Sequence, residues 1–310
     1  MKIAVFTLLL LSTCWLAAQA PAPAAPPQGD VPPAIKQAQQ LNSEGKQDEA
    51  LAALGPVLAA DPNSFEANLT EGIVLDLKGD YDKARKYLLQ AVEFAPPERR
   101  IQALRTTAVS YAFTCDLPQV ARYEQLAYDT QVQSQKFTDA AGTANELARI
   151  LLECGSASDA AKWYKTGYET ALRKTDLSEA DRDLWQFRKE SAEARIAARK
   201  GDNMHAEKDV AEAKAILDKG KLPPNQAVFY PYLTGYVAFY AGNYKAAIDD
   251  LQKADQKDPF ILALLAQAYA KSGNKDEAMK LYRQVLTINS HNPTNAFARP
   301  LAKKKLGIGS

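Results

Sequence analysis

One pattern of small and large residues recurs along this chain and restricts its fold more than any other feature. Residues 64–97 contain two short amphipathic runs on either side of Gly79, with small side chains at Gly72 and Ala84 and a large one at Leu88. Small residues let two helix backbones approach closely, and leucine side chains fill the remaining gap. Glycine can take the positive φ that ends a helix tightly. The segment therefore predicts a pair of short helices packed against each other.

The same frame returns upstream and downstream of this segment. Clear copies place a small residue in the position of Gly72 at Ala38, Ala148, Gly235 and Ala266, and weaker copies do so at Ala108 and Ala194. This pattern resembles the tetratricopeptide repeat (TPR). The resemblance implies an all-α, right-handed α-solenoid (a superhelix) of about seven TPR-like helix pairs with a C-terminal capping helix.

The repeat frame and the composition shifts divide the chain into consecutive parts. The longest departure from regularity is an uninterrupted helical run from Ser178 to Lys200, an insertion between the fourth and fifth units. The predicted parts are a signal peptide (1–20), a Pro/Ala-rich linker (21–33), TPR-like repeats 1–3 (34–134), repeats 4–5 with the insertion (135–220), repeats 6–7 with the capping helix (221–306) and a tail (307–310).

The first twenty residues have the pattern of a secretory leader. Lys2 precedes an apolar run over residues 3–11, and the stretch ends in small residues at Ala20, with Ala22 and Ala24 as alternative cleavage positions. The run is too short for a transmembrane helix. Residues 11–14 also resemble a bacterial lipoprotein box, which would place a lipid anchor on Cys14. We therefore predict export to the periplasm or the extracellular space of a bacterial cell envelope, with no membrane span.

Charge and motif content argue against several other classes of function. Lys plus Arg total 38 against 37 acidic residues, so no global basic field favours nucleic acid or an anionic membrane as a partner. The chain has no phosphate-binding loop, nucleophile elbow or zinc pattern, and His205 and His291 are expected at the surface. We predict no catalytic residues, no metal and no cofactor, and thus a protein that is not an enzyme.

The two cysteines outside the leader, Cys115 and Cys154, occupy nearly equivalent turns of consecutive repeats. Export permits a disulfide. Neighbouring helices pack about 8–10 Å apart, however, whereas a disulfide requires Cα atoms about 5.5–6 Å apart. Two separate thiols are the preferred prediction, with a disulfide as the alternative.

In proteins of this kind the first helix of each pair lines a concave groove, so the resemblance implies that partner-binding residues lie there. Small packing positions on these helices point to a different side from a set of tyrosines and arginines, the residue types that most often anchor interfaces. The candidate binding residues are Arg149, Arg195, Arg199, Tyr232, Tyr236 and Tyr240. In the alternative interpretation, neighbouring helices cover the tyrosines and the arginines are solvated.

The resulting prediction is an exported scaffold or adaptor that binds a protein or peptide partner through its concave face. Three alternatives belong to different classes. The first is an outer-membrane-anchored lipoprotein assembly factor, the second is an oligomeric structural component, and the third is an enzyme with an unrecognised site.

Overall fold

The computed structural model describes residues 31–308, and the predicted leader with most of the linker lies outside this part of the chain. Fifteen α-helices and one 3-10 turn, Pro97–Arg99, account for the regular structure of these residues, among which there is no strand. The helices are α1 Pro33–Ser43, α2 Gln47–Ala60, α3 Phe65–Lys78, α4 Tyr81–Phe94, α5 Arg100–Ala112, α6 Leu117–Gln133, α7 Phe137–Glu153, α8 Ala157–Ala171, α9 Glu179–Arg199, α10 Asn203–Asp218, α11 Asn225–Tyr240, α12 Tyr244–Leu251, α13 Pro259–Lys271, α14 Lys275–Leu286 and α15 Pro293–Leu306. They form seven successive pairs, α1/α2 to α13/α14, followed by α15, so the predicted all-α solenoid with a capping helix is confirmed.

Close backbone approach between the two helices of a pair depends on the small residues of the repeat. A Cβ placed on Gly72 of α3 would lie 2.5 Å from Cγ of Leu88 and 3.1 Å from the carbonyl oxygen of Ala84, both on α4. Ala84 and Leu88 are fully buried. Gly235 of α11 has the same relation to Leu251 of α12, with a Cβ-to-Cγ distance of 2.7 Å. The repeat frame predicted from the sequence is therefore the packing frame of the protein.

The turn inside each pair also follows the repeat. Gly79 ends α3 with φ of 106°, in the left-handed region that glycine adopts without strain. In the third repeat Cys115 stands in the place of Gly79 and takes the same region, with φ of 51°. The longest helix is α9, and the Ser178 hydroxyl accepts a hydrogen bond from the backbone N–H of Asp181 at its start. The predicted insertion is thus a longer first helix within the fifth pair.

Cys115 and Cys154 form a disulfide, with their Cα atoms 5.6 Å apart. The preferred prediction of two separate thiols is wrong. That prediction used the distance between packed helix axes. The two cysteines, however, lie in the turns that follow α5 and α7, where this distance does not apply. The positive φ of Cys115 turns the backbone at this point, and the two turns meet.

Helix α15 joins the end of the array to its beginning. It packs on α13 and α14 of its own end and also contacts α5 and α7. The guanidinium of Arg299 donates from Nε to the carbonyl oxygen of Leu77 over 2.8 Å, and Lys303 donates to that of Lys78 over 2.8 Å. These carbonyls lie at the C-terminus of α3, where positive charge is favourable. The superhelix is therefore closed. Pro300 lies within α15, which is continuous from Pro293 to Leu306.

His291 belongs to the same closing contact and not to the surface. Its Nε2 lies 2.8 Å from Oδ2 of Asp76, and its side chain is only 5% exposed. Asp76 is fully buried and also accepts a hydrogen bond from the hydroxyl of Ser110. The prediction that both histidines are exposed is confirmed for His205 and wrong for His291. His291 contacts a residue 215 positions away, and no local sequence pattern indicates such a contact.

None of the helices within residues 31–308 combines the length and the apolar composition that a membrane span requires.

Candidate functional site

The odd-numbered helices α3 to α13 are the first helices of the second to seventh pairs, and we call them the inner wall. All six candidate binding residues lie on this wall. Arg149 is on α7, Arg195 and Arg199 are on α9, and the tyrosines are on α11. Arg199 donates to the hydroxyl oxygens of Tyr236 and Tyr240 over 3.4 and 3.2 Å. The structure therefore brings residues from three successive pairs together, as the shared helix face predicted.

Two of the tyrosines are not accessible to a partner. The exposed fractions of Tyr232 and Tyr236 are 1% and 0%, because α7 and α13 meet α11 across the interior of the closed superhelix. Tyr236 donates its hydroxyl proton to Oε1 of Glu153 on α7 over 3.1 Å. These two rings therefore do not present their faces to a partner. The alternative interpretation, in which neighbouring helices cover the tyrosines, describes both of them.

Arg199 already has a carboxylate partner within the protein. Its guanidinium lies 2.9 Å from Oε2 of Glu153, whose side chain is 3% exposed. Burial raises the pKa of the Glu153 carboxyl, and the positive charge of Arg199 opposes this shift. The ion pair links α9 to α7. Arg199 therefore contributes to the architecture of the inner wall and offers little free charge to a ligand.

A partly open cavity lies beside this cluster, between α5, α7, α9 and α11. Its volume is about 80 Å³, which is room for several waters. Four arginines border it, namely Arg105, Arg149, Arg188 and Arg195, and Glu146 is the one carboxylate in its lining. The first residue of α15, Pro293, also borders it. The cavity therefore carries a marked excess of positive charge.

The four arginines differ in how far the protein already satisfies them. Arg105 forms a salt bridge with Glu146. Arg195 donates from Nε to the carbonyl oxygen of Ser191 and from a terminal nitrogen to the hydroxyl of Tyr164, each over 3.1 Å. Arg149 is 9% exposed and, among residues 31–308, makes no hydrogen bond or salt bridge; the rings of Tyr232 and Phe260 lie 5.7 and 5.4 Å from its guanidinium carbon.

Burial shifts the pKa of two further ionisable groups at or near the cavity. Burial, together with the nearby Glu146 carboxylate, raises the pKa of Glu124 well above its usual range, and the positive charge of Arg105 opposes this shift. Burial lowers the pKa of Arg188 to about 10, which still leaves this guanidinium charged at neutral pH. Of the four arginines that border the cavity, only Arg105 forms a salt bridge with another residue of the described part of the chain.

A second cluster of charged residues has the composition of a metal site but not the charge balance of one. Carboxylate oxygens of Glu190, Glu193 and Asp209 lie within 4.8 Å of one another on α9 and α10. The ammonium group of Lys189 is 3.2 Å from Glu190 and 2.6 Å from Glu193. A lysine therefore supplies the cation that these carboxylates require.

Sequence reasoning identified Arg149 and Arg195 but missed Arg105, Arg188 and Ser191. Arg188 lies seven residues before Arg195 on α9, and this spacing places both side chains on one helix face. Helical spacing alone could therefore have found Arg188. Arg105 reaches the cavity from α5, two pairs away from α9. No local sequence pattern predicts that these two helices border one cavity.

Comparisons with known proteins agree with this architecture. A sequence model of the family described as "Tetratricopeptide repeat" matches residues 41–107 and 238–294. No curated protein matches the sequence. A tetratricopeptide repeat protein from Parabacteroides merdae is similar over 89% of this chain and 96% of its own, with 11% identity and a TM-score of 0.53. TPR-like repeats of a putative kinesin light chain from Podosopora anserina cover 60% of this chain and 94% of their own, at 16% identity and a TM-score of 0.49.

The first of these likenesses supports the fold alone, and the second is too weak to carry an argument. The two matched segments fall in the first three helix pairs and in the last two, and the same packing frame runs through the pairs between them. The chain therefore contains tetratricopeptide repeats in these two segments, and the helix pairs between them continue the same solenoid fold.

Proposed function

We propose that this protein is an exported scaffold that binds a protein or peptide partner at the inner wall of its superhelix. The tetratricopeptide repeat fold is that of a protein-interaction scaffold. The observation that carries the finer proposal is the cavity in which four arginines face one carboxylate. An acidic group of the partner would enter it, with Arg149 and Arg195 as the contacting residues and Arg199 and the three tyrosines holding the wall behind them.

Two independent features support export. Residues 1–20 have the composition of a secretory leader, although they lie outside the described residues. The disulfide between Cys115 and Cys154 is typical of proteins that mature in an oxidising compartment. Intact-mass measurement of the exported protein should give a start between about Pro21 and Ala25. A retained Met1 would contradict export, and diacylglycerol on Cys14 would establish the lipoprotein alternative.

Partner capture from an envelope extract tests the binding proposal when it is paired with a matched variant. Arg188 borders the cavity without a salt bridge among the described residues, whereas Arg182, six residues earlier on α9, is exposed. Full-length protein carrying Arg188→Met should capture the partner several-fold less well than wild type, and Arg182→Met should capture it normally. Equal capture by wild type and both variants would show that the partner binds away from the cavity.

A further inference from the structure

Two side chains that border the cavity, Arg149 and Ser191, have hydrogen-bond donors without an acceptor in the described part of the chain. Nε of Arg149 is buried without a hydrogen-bond partner, and no hydrogen bond or salt bridge joins this guanidinium to another of residues 31–308. The hydroxyl of Ser191, in a residue that is 1% exposed, also lacks a partner there and borders the same cavity. Buried polar groups are normally satisfied, and a buried charge without a partner is especially costly. The donors of Arg149 and Ser191 therefore call for an acceptor from outside the protein.

We infer that the cavity is a binding site for an oxyanion, a carboxylate or phosphate group whose oxygens accept hydrogen bonds from Arg149, Ser191 and Arg195. A guanidinium presents its N–H groups as a planar fork that matches two oxygens of such a group. Arg195 uses Nε and one terminal nitrogen within the protein, which leaves further N–H groups for a ligand. This inference deepens the proposed function, on which it rests, by naming the chemical group that a partner supplies.

The acidic residues nearest to Arg149 are already engaged elsewhere. Asp258 accepts the backbone N–H groups of Phe260 and Ile261 over 2.8 and 3.3 Å, at the start of α13. Glu153 is paired with Arg199 and accepts from Tyr236. Neither carboxylate forms a salt bridge with Arg149, so the protein provides no internal substitute for the ligand.

The size of the cavity and the character of its walls select the kind of ligand. Space for several waters suffices for one carboxylate or phosphate group with a short stem, but it does not admit a folded segment. Tyr164, Phe187 and Phe229 supply aromatic surface beside the arginines, against which an apolar stem can pack. The oxyanion can belong to a free small molecule or to an acidic side chain of the partner, and both sources would compete for the same donors.

Thermal unfolding and calorimetric titration of the full-length protein test this assignment with three probes. These are inorganic phosphate, succinate and a short Asp/Glu peptide with blocked termini, each compared with sodium chloride at equal ionic strength. We expect at least one probe to raise the melting temperature beyond the chloride control, because a ligand that binds only the folded state stabilises it. Binding of the blocked peptide but not of the free anions would support the site and assign its ligand to a protein partner.

Three variants identify the donors. Arg149→Met should weaken binding of the effective probe by about tenfold or more, and Ser191→Ala by about threefold or more, since hydrogen bonds to charged groups contribute more than neutral ones. Arg182→Met, on the exposed face of α9, should bind as wild type does. Ser191→Ala removes one oxygen atom only, so it gives a result even where loss of Arg149 disturbs folding.

The inference is overturned if none of the three probes binds more strongly than chloride. It is overturned equally if Ser191→Ala and a folded Arg149→Met bind the probe as tightly as wild type does, because the anion would then occupy the general surface. The proposed function fails separately. Anion binding that depends on Arg149, together with partner capture that does not depend on Arg188, would retain the oxyanion site and reject the scaffold contact at this cavity.

Discussion

The glycine at the centre of the second repeat provides a direct test of the packing frame. Replacing Gly72 by alanine adds a single methyl group, whose carbon would lie 2.5 Å from Cγ of Leu88 and 2.7 Å from its Cδ2. Leu88 is fully buried, and Cγ is the branch point of its side chain rather than a mobile end. To reach ordinary van der Waals contact, α3 and α4 must separate by about 1 Å or Leu88 must leave its rotamer.

Gly167 of α8 supplies a matched control within the same protein. A Cβ at Gly167 would lie 3.1 Å from the carbonyl oxygen of Ala141, which equals the distance from Gly72 to the carbonyl oxygen of Ala84. Its closest neighbour, at 2.4 Å, is Oδ1 of Asn145, the far end of a side chain that can rotate. Both variants gain about 1 kcal/mol from replacing glycine within a helix. Their difference therefore isolates the cost of displacing Leu88, about 1–3 kcal/mol for overpacking a filled core.

Thermal unfolding followed by circular dichroism measures this difference. At about 2–4 °C per kcal/mol for a chain of this size class, Gly72→Ala should melt roughly 2–12 °C below Gly167→Ala. Gly235→Ala, which meets Leu251 in the sixth pair, should behave as Gly72→Ala does. Equal melting temperatures for Gly72→Ala and Gly167→Ala would refute the argument that small residues at this repeat position set the helix spacing.

Two further changes test the disulfide and a buried carboxyl group. Replacing Cys115 and Cys154 together by serine removes a disulfide between residues 39 positions apart, which should lower the free energy of unfolding by about 4 kcal/mol. Urea titration without reductant measures this loss, and an unchanged urea midpoint would contradict the prediction. Burial raises the pKa of Glu71 from 4.5 to about 7, so the folded state holds this proton more tightly, and stability falls as pH rises from 4.5 towards 7. Glu71→Gln should remove that decline and raise the free energy of unfolding by about 1–2 kcal/mol at pH 8, a figure reduced for partial exposure, and it should bring no gain at pH 4. A gain of equal size at both pH values would show that burial of the charge is not the cause.

Much of the fold could be predicted because its determinants are local and repeated. Gly72, Ala84 and Leu88 lie within one 34-residue unit, and each copy reports the same pair of helices independently. The shared face of Arg149, Arg195 and Arg199 also follows from helical spacing within single helices. Local spacing thus sufficed for the helix pairs and for the direction in which the arginines point.

What could not be predicted depends on contacts between distant parts of the chain. Tyr232 has the spacing of a groove residue, yet Arg149 and Phe260 reach it from two other repeats and cover it. The same convergence creates the cavity, because Arg105 and Arg188 arrive from helices far apart in sequence. Cys115 and Cys154 meet beyond the helix ends, where the regular spacing between helices no longer applies. Repeat periodicity describes each unit and its neighbour but contains no information on how far the superhelix curves.

The contact of α15 with α3 changes how an array of this kind melts. In an open solenoid the terminal units have one neighbour each, so they fray first and the array loses its units progressively. Here Arg299 holds a carbonyl oxygen 222 residues earlier in the chain, and His291 holds a carboxylate 215 residues earlier. Asn289 reaches the first pair as well, because it accepts a hydrogen bond from Gln47 and donates one to the carbonyl oxygen of Ser43. Each terminal unit therefore has a second neighbour, and neither end can loosen without breaking these contacts. We therefore expect the repeats to unfold as a single cooperative body, so that a substitution in the last helix destabilises the first repeats as well.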